Sequence, residues 1–207
     1  MIIVGAKGFA KQLVEIFFQS NKIEDLFFFD DFSKDIDSVL FGIKILKNIE
    51  DVMSVFQSVS NEFCLGLGNP QIREKMVEKF EYTGGKLCSV ISPHSHISSF
   101  VHDIGQGCNI LTGAVIENDV HIEKGVLINV NAVVNHDTYI SEYCEISPGA
   151  KLLGNVRVEK KCIIGANAVI LSGINIGTNV IIGAGAVVTK DVSSNKTMVG
   201  VPARELK

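Results

Sequence analysis

Residues 104–193 read, in groups of six, IGQGCN ILTGAV IENDVH IEKGVL INVNAV VNHDTY ISEYCE ISPGAK LLGNVR VEKKCI IGANAV ILSGIN IGTNVI IGAGAV VTKDVS. The first position of every group, from Ile104 to Val188, is isoleucine, valine or leucine. The fifth, from Cys108 to Val192, is restricted to Cys, Ala, Val, Thr or Ile. Neither the 3.6-residue period of a helix nor the two-residue period of a strand keeps such a register over ninety residues. A six-residue repeat is the signature of a parallel β-helix. Three six-residue faces make one coil of 18, so the stretch predicts five coils. First-position side chains point inward and stack about 4.8 Å apart along the axis; the fifth sits near a corner. Gly105, Gly125, Gly149, Gly165, Asn167, Gly177, Asn179, Gly183 and Gly185 are expected at corners with unusual backbone dihedrals. Each coil buries its faces only against neighbours, so stability is approximately a nearest-neighbour sum.

Upstream, residues 1–85 follow a different grammar. Apolar strands are expected at Met1–Val4, Leu26–Phe29 and Glu62–Gly66, and helices at Phe9–Ser20, Ile49–Gln57 and from Pro70 to about Phe80. Asn69 is placed to cap the last helix, with Pro70 at its first position. Alternating strands and helices predict parallel βαβ units, hence a small Rossmann-like α/β domain. Residues 86–103 form a junction and capping coil, because Ser92-Pro93-His94-Ser95-His96 lies one residue out of the later register. Residues 194–207 form a C-terminal tail.

Composition excludes several classes. A net charge of −4 gives no basic footprint for nucleic acid. With 46% hydrophobic and 20% charged residues the 207-residue chain can build a core and does not read as disordered. No apolar run has the length of a membrane span, and Met1-Ile2-Ile3-Val4 lacks the charged start of a signal peptide, so a cytoplasmic protein is expected. Five cysteines without paired spacing fit neither a disulfide framework nor a zinc site. Cys108, Cys144 and Cys162 occupy the fifth hexad position and read as packing residues. His94, His96 and His102 lack an acidic or cysteine cluster at ligand spacing, so no metal is expected.

Ligands on open α/β sheets bind beyond the carboxyl ends of the strands. Three loops converge there: Gly5–Gly8, Asp30–Phe32 and Gly66–Asn69. Gly5-Ala6-Lys7-Gly8 puts free N–H groups at a helix start, a seat for phosphate to which Lys7 adds charge; the same loop is also read as a plain tight turn. The dinucleotide fingerprint lacks its second glycine, which favours one nucleoside diphosphate over a whole NAD. Asp30 or Asp31 then accepts from a ligand hydroxyl or amine, or simply forms a solvated turn. In the β-helix, Asn135-His136-Asp137 follows Val134. Histidine beside an acid is a general-base pairing, although an exposed histidine on a solenoid face is the plainer reading.

Taken with Gly66-Leu67-Gly68-Asn69, Ile146-Ser147-Pro148-Gly149-Ala150 and Val199-Gly200-Val201-Pro202-Ala203-Arg204, these motifs give a resemblance over nearly the whole chain. It resembles the hexapeptide-repeat sugar acetyltransferases that join a small Rossmann-like domain to a left-handed parallel β-helix, the bacillosamine-pathway N-acetyltransferases and sialic acid O-acetyltransferase-like proteins among them. The resemblance implies a homotrimer with acetyl-CoA between adjacent β-helices, and His136 as general base assisted by Asp137. It implies a nucleotide-linked amino sugar against Gly5, Lys7, Gly8, Asp30, Asp31, Gly68 and Asn69. It places the Gly154 backbone near the thioester, and Gly165, Ala166, Gly183, Ala184 and Lys190 along the pantetheine and phosphates of CoA. Two positions depart from the pattern. Gly8-Phe9 stands where many relatives have Gly-His. Glu145 stands where many have a second histidine touching acetyl-CoA, and an ionised Glu cannot donate the bond that imidazole can.

The resulting expectation is N-acetylation of a nucleotide-linked amino-deoxysugar, with a 4-amino-4,6-dideoxysugar first, by direct attack of the amine on the thioester. No cysteine or serine stands beside a base as an acyl-enzyme nucleophile would. The alternatives are O-acetylation of a sugar such as sialic acid, a non-enzymatic scaffold, and a γ-carbonic-anhydrase-like zinc enzyme. The last needs three converging histidines, and the regular coils hold only His121 and His136.

Overall fold

A computed structural model describes residues 1–33 and 35–206. The chain forms two compact units, Met1–Val90 and Ile91–Lys207. In the first, the order is β1 (Ile2–Val4), α1 (Gly8–Gln19), β2 (Phe27–Phe29), β3 (Val39–Leu40), β4 (Ile43–Leu46), α2 (Ile49–Ser58), β5 (Glu62–Leu65), α3 (Pro70–Tyr82) and β6 (Lys86–Leu87). The sheet runs β3-β4-β2-β1-β5-β6. All its pairings are parallel except β3 with β4. Every residue of β1 is buried, as a central parallel strand covered on both faces requires. Chain order steps outward on one side of β1 through β2 and β4, then returns to its other side with β5. The crevice at that reversal is where ligands of such sheets sit.

Helix ends follow their local chemistry. The Asn69 side chain accepts from the Ile72 N–H at 3.0 Å, with Pro70 opening α3. Asn48 accepts from the Asp51 N–H at 2.8 Å, and Glu50 and Asp51 complement the first turn of α2. Phe80 of α3 packs on Phe29, Phe56 and Phe63 with ring centroids 5.0–6.1 Å apart. The β3–β4 hairpin is absent from the sequence expectation. Its two-residue turn has Phe41 at φ 52° and Gly42 at φ 78°, and a Phe in that left-handed position carries none of the usual Asn-Gly signal.

The second unit is a three-sided parallel β-helix of two-residue strands stacked into three sheets. Pairing partners recur once per coil: Asn109 with Leu127, Glu145, Ile163 and Ile181 on the first sheet; Val115 with Val133, Lys151, Val169 and Val187 on the second; Asp103 with His121, Tyr139, Arg157 and Asn175 on the third. First-position residues from Ile110 to Val188 are buried, together with the fifth-position residues Cys108 to Ala186. Cys108, Cys144 and Cys162 each direct the thiol at a backbone carbonyl on the next face but two, at 2.9–3.1 Å, so they pack as expected.

Corner geometry resides in the fourth hexad position. Every sixth residue from Gly107 to Gly185 has φ between 55° and 74°, whether Gly, Asn, Asp, Tyr143 or Lys161. Gly105, Gly165, Gly177 and Gly183, expected to supply unusual dihedrals, do not have positive φ; they permit close approach between coils. A Cβ on Gly165 would lie 2.5 Å from the Ile182 carbonyl oxygen.

Both ends of the repeat adjust. His96 pairs with Val115 and not with Ala114, which a regular coil would bring opposite, so the first coil is one residue longer, as its sequence register indicates. At the far end Ile181 pairs with Thr197, short of the Val199 that a regular coil would supply, and Val192 bridges to Ile176. Thr197–Val199 thus carries the first sheet beyond Ser193 and is edged by antiparallel Arg204–Glu205. Ile146 sits fully buried in mid-stack. Ile146→Ala is expected to destabilise the protein by about 2–5 kcal/mol, measured by urea unfolding, because both adjoining coils lose contacts.

Candidate functional site

The N-terminal unit holds a cavity of about 640 Å³ at the carboxyl ends of β1, β2 and β5. The three loops expected from sequence line it, through Gly5, Ala6, Lys7, Asp30, Asp31, Phe32, Gly66 and Gly68 among others. The loops are tied by Gly5 N–H to the Phe29 carbonyl at 2.7 Å and Gly66 N–H to the Val4 carbonyl at 2.8 Å. Gly5 has φ 106°, and a Cβ there would lie 2.8 Å from the Gly66 carbonyl oxygen, so glycine is required for this approach. Lys7 occupies the N-cap position of α1 without a side-chain cap bond, and the first turn carries no acid. The N–H groups at the start of α1 are a positive end that receives no side-chain cap bond among the described residues.

The two aspartates differ. Asp30 is 9% exposed, and its carboxylate folds its own loop. One oxygen accepts from the N–H groups of Phe32 and Ser33 at 3.2 and 2.8 Å; the other accepts from the Ser33 hydroxyl at 2.9 Å. Asp31 pairs with Lys79 at 2.6 Å, and that ammonium also lies 5.0 Å from the centre of the Phe29 ring. Gly8 and Asn69 do not line the cavity; the Asn69 side chain is engaged in capping α3. Lining residues outside the three expected loops include Phe9, Ser33, and Ile72, Lys75 and Met76 of α3. The i, i+3, i+4 spacing of Ile72, Lys75 and Met76, which puts them on one face of a helix opened by Pro70, was the available signal.

In the β-helix, Asn135-His136-Asp137 forms the corner between the second and third sheets. His136 Nδ1 lies 2.7 Å from Asp137 Oδ2, with side-chain exposures of 66% and 59%. Asp137 takes the left-handed corner position at φ 58°, a conformation that Asp tolerates better than most residues. Its N–H donates to the Asn118 carbonyl one coil earlier at 3.2 Å, and the His136 carbonyl accepts from the Asn155 N–H one coil later at 2.9 Å. The backbone is therefore pinned on both sides while the ring projects outward. The ring lies over Gly154, where a Cβ would stand 2.5 Å from Cε1 and 2.7 Å from Nε2.

The remaining expected residues divide between two corners. Lys190 shares the His136–Gly154 corner, farther along the axis, where the register shortens before Val192. Gly165, Ala166, Gly183 and Ala184 form the corner between the first and second sheets, and Glu145 lies on the first sheet approaching it, accepting from the Ser147 hydroxyl at 3.1 Å. One six-residue face, up to about 20 Å of chain, separates these corners within a single copy.

Residues 1–80 match the model of the PglD N-terminal domain, and residues 155–190 match the hexapeptide repeat of succinyl-transferase. WeeI from Acinetobacter baumannii AYE is 30% identical over 99% of this chain and 98% of its own, with a TM-score of 0.90. The acetyltransferase domain of PglB from Neisseria gonorrhoeae FA1090, in complex with acetyl coenzyme A, is 29% identical over 99% and 98%, with a TM-score of 0.89. The chain belongs to the hexapeptide-repeat sugar acetyltransferases. PerB from Caulobacter crescentus, in complex with CoA and GDP-perosamine, is 26% identical over 100% of this chain and 96% of its own, with a TM-score of 0.91. A search of curated proteins found no match. Membership makes the second unit a left-handed β-helix and the chain an acetyl-CoA-dependent sugar acetyltransferase.

Gly154→Ala is expected to hold stability within about 1 kcal/mol, since the obstructed atoms belong to an exposed ring, while displacing that ring. Chemical shifts of the His136 imidazole protons report the displacement.

Proposed function

We propose that this acetyltransferase N-acetylates a nucleotide-linked amino-deoxysugar, a 4-amino-4,6-dideoxysugar first, with His136 as general base. The observation that carries the reading is the His136–Asp137 pair. With the Asp137 carboxylate accepting from Nδ1–H, the imidazole is held in the tautomer whose Nε2 bears a lone pair. The backbone bonds on either side fix the ring's origin, and the bare Gly154 backbone leaves space beneath it.

Chemistry follows from that arrangement. The neutral sugar amine attacks the thioester carbonyl carbon, and Nε2 removes a proton from the nitrogen as the C–N bond forms. The carbonyl oxygen gathers negative charge, for which backbone donors are suitable partners. Collapse of the adduct expels CoA thiolate, and the proton on His136 returns to the thiolate or to solvent. A base of this kind supplies roughly 10²–10⁴-fold; much of the remainder comes from holding two substrates in attack geometry. No acyl-enzyme is involved.

The cavity at the strand ends receives the nucleoside diphosphate. Its phosphates lie at the start of α1 with Lys7, and Asp31 and Gly68 lie within reach of the sugar and ribose. PerB, with CoA and GDP-perosamine bound, supports an amine rather than a hydroxyl as the acceptor. The His136–Gly154–Lys190 corner and the Glu145–Gly165–Ala166–Gly183–Ala184 corner complete one acetyl-CoA site when supplied by adjacent copies in a homotrimer. This reading also accounts for a general-base pair that is more than half exposed in one copy.

Thiol release from acetyl-CoA, measured against UDP-, dTDP- and GDP-linked 3-amino and 4-amino deoxysugars with free sialic acid alongside, tests the assignment. One amino sugar is expected to turn over. His136→Ala should lower kcat by about 10²–10⁴-fold with assembly unchanged, and Asp137→Asn, which keeps the corner conformation, by roughly tenfold or more. Turnover of only the hydroxyl sugar would reassign the protein to O-acetylation. Near-normal kcat in His136→Ala would remove the general base.

A further inference from the structure

We propose that the base of the nucleotide is held face-on by Phe32, and that Asp30 serves as a positioning residue for that ring rather than as a ligand contact. The inference rests on the nucleotide-sugar reading of the N-terminal cavity and adds which side chain recognises the base.

The Phe32 side chain stands apart from the packed aromatic residues of this unit. It is 91% exposed yet lines the cavity, whereas Phe29, at the end of the preceding strand, is buried and packs on Phe80. Leaving a large aromatic ring in water forgoes the burial that stabilises its neighbours. The loop that carries it is built with unusual care. Three donors converge on the Asp30 carboxylate, namely the N–H groups of Phe32 and Ser33 and the Ser33 hydroxyl, all within 3.2 Å. The Asp30 N–H itself donates to the Leu46 carbonyl at 3.0 Å. The turn therefore hangs from the end of one strand and presents Phe32 at the cavity rim.

The engaged Asp30 carboxylate completes the case. Asp30 is nearly buried with both oxygens held within its own loop, so selection of a base by Asp30 would require untying the loop that carries Phe32. Asp31 is held by Lys79 through one oxygen, which leaves the other for the sugar or ribose. An aromatic face requires nothing to be broken, because every base offers a π-face to stack on. The rest of the lining agrees: Phe9, Leu67, Ile72 and Met76 supply apolar walls, while Lys7 and Lys75 supply positive charge. Neither lysine forms an ion pair among the described residues. An apolar wall with an aromatic rim and two ammonium groups suits a flat ring linked to a diphosphate.

Titration calorimetry of the full chain with UDP, dTDP and GDP separates this inference from the reading beneath it. Wild type is expected to bind nucleoside diphosphates. Phe32→Ala should weaken all three by roughly 5- to 150-fold, and Phe32→Tyr should restore binding. Asp30→Asn retains an oxygen that can accept the two N–H groups and an amide that can donate to the Ser33 hydroxyl, so it should bind near-normally. Asp30→Ala, which unties the loop, should lose affinity as Phe32→Ala does. A wild type that binds no nucleoside diphosphate would overturn the nucleotide reading of the cavity and this inference with it. Binding by wild type with Phe32→Ala unchanged would overturn this inference alone. A selective loss of one nucleotide in Asp30→Asn would make Asp30 a direct contact and would also overturn it.

Discussion

Everything in the second unit depends on one residue in six turning left-handed. A parallel β-helix needs its two-residue strands to meet at sharp corners, and the same backbone conformation recurs from Gly107 to Gly185. For non-glycine residues it costs about 1–2 kcal/mol, which is why Gly, Asn and Asp dominate that column. Tyr143 and Lys161 show that stacked isoleucines can carry exceptions. Asp137 occupies this column as well. The residue that orients the histidine is thus placed by the same requirement that turns the chain.

That coincidence explains how the β-helix part of the candidate site was legible in the sequence. The buried column announces the prism, the prism fixes which residues face outward, and His136 falls on a corner beside an acid. Gly154 holds the same hexad position one coil on, so counting alone puts it beneath the imidazole. The fourth-position column, mostly Gly, Asn and Asp, is equally legible in the sequence, whereas the presence of a glycine does not by itself separate corners that need positive φ from those, such as Gly165, that admit a neighbouring backbone.

The first unit was legible to a lesser depth. Apolar runs at Met1–Val4, Leu26–Phe29 and Glu62–Gly66 and the Asn69-Pro70 start were sufficient for the alternating α/β pattern and for the convergence of three loops. The β3–β4 hairpin was not, because Phe41 in a left-handed turn contradicts local preference and is decided by pairing along a sheet edge. The partners of Asp30 and Asp31 were invisible for a related reason. Asp30 is satisfied within its own turn, which sequence alone does not distinguish from an open one. Asp31 is paired with Lys79, 48 residues away in the chain. Contacts of that range are set by the packing of α3 and have no periodic trace.

The repeating coil also acts as a gauge. Positions along one corner are quantised at about 4.8 Å per coil, so His136, Gly154 and the corner holding Lys190 stand at fixed graduations on a rigid scale. Adding or removing a whole coil between His136 and Lys190 would move the far mark by one graduation and leave the imidazole, its carboxylate and the glycine beneath it where they are. Adding a single residue, as the first coil does at its outer edge, is absorbed only where no further coil must stay in step. The fold therefore restricts change in the length of this surface to coil-sized increments, and the reach between its two ends is a whole number held in the gene.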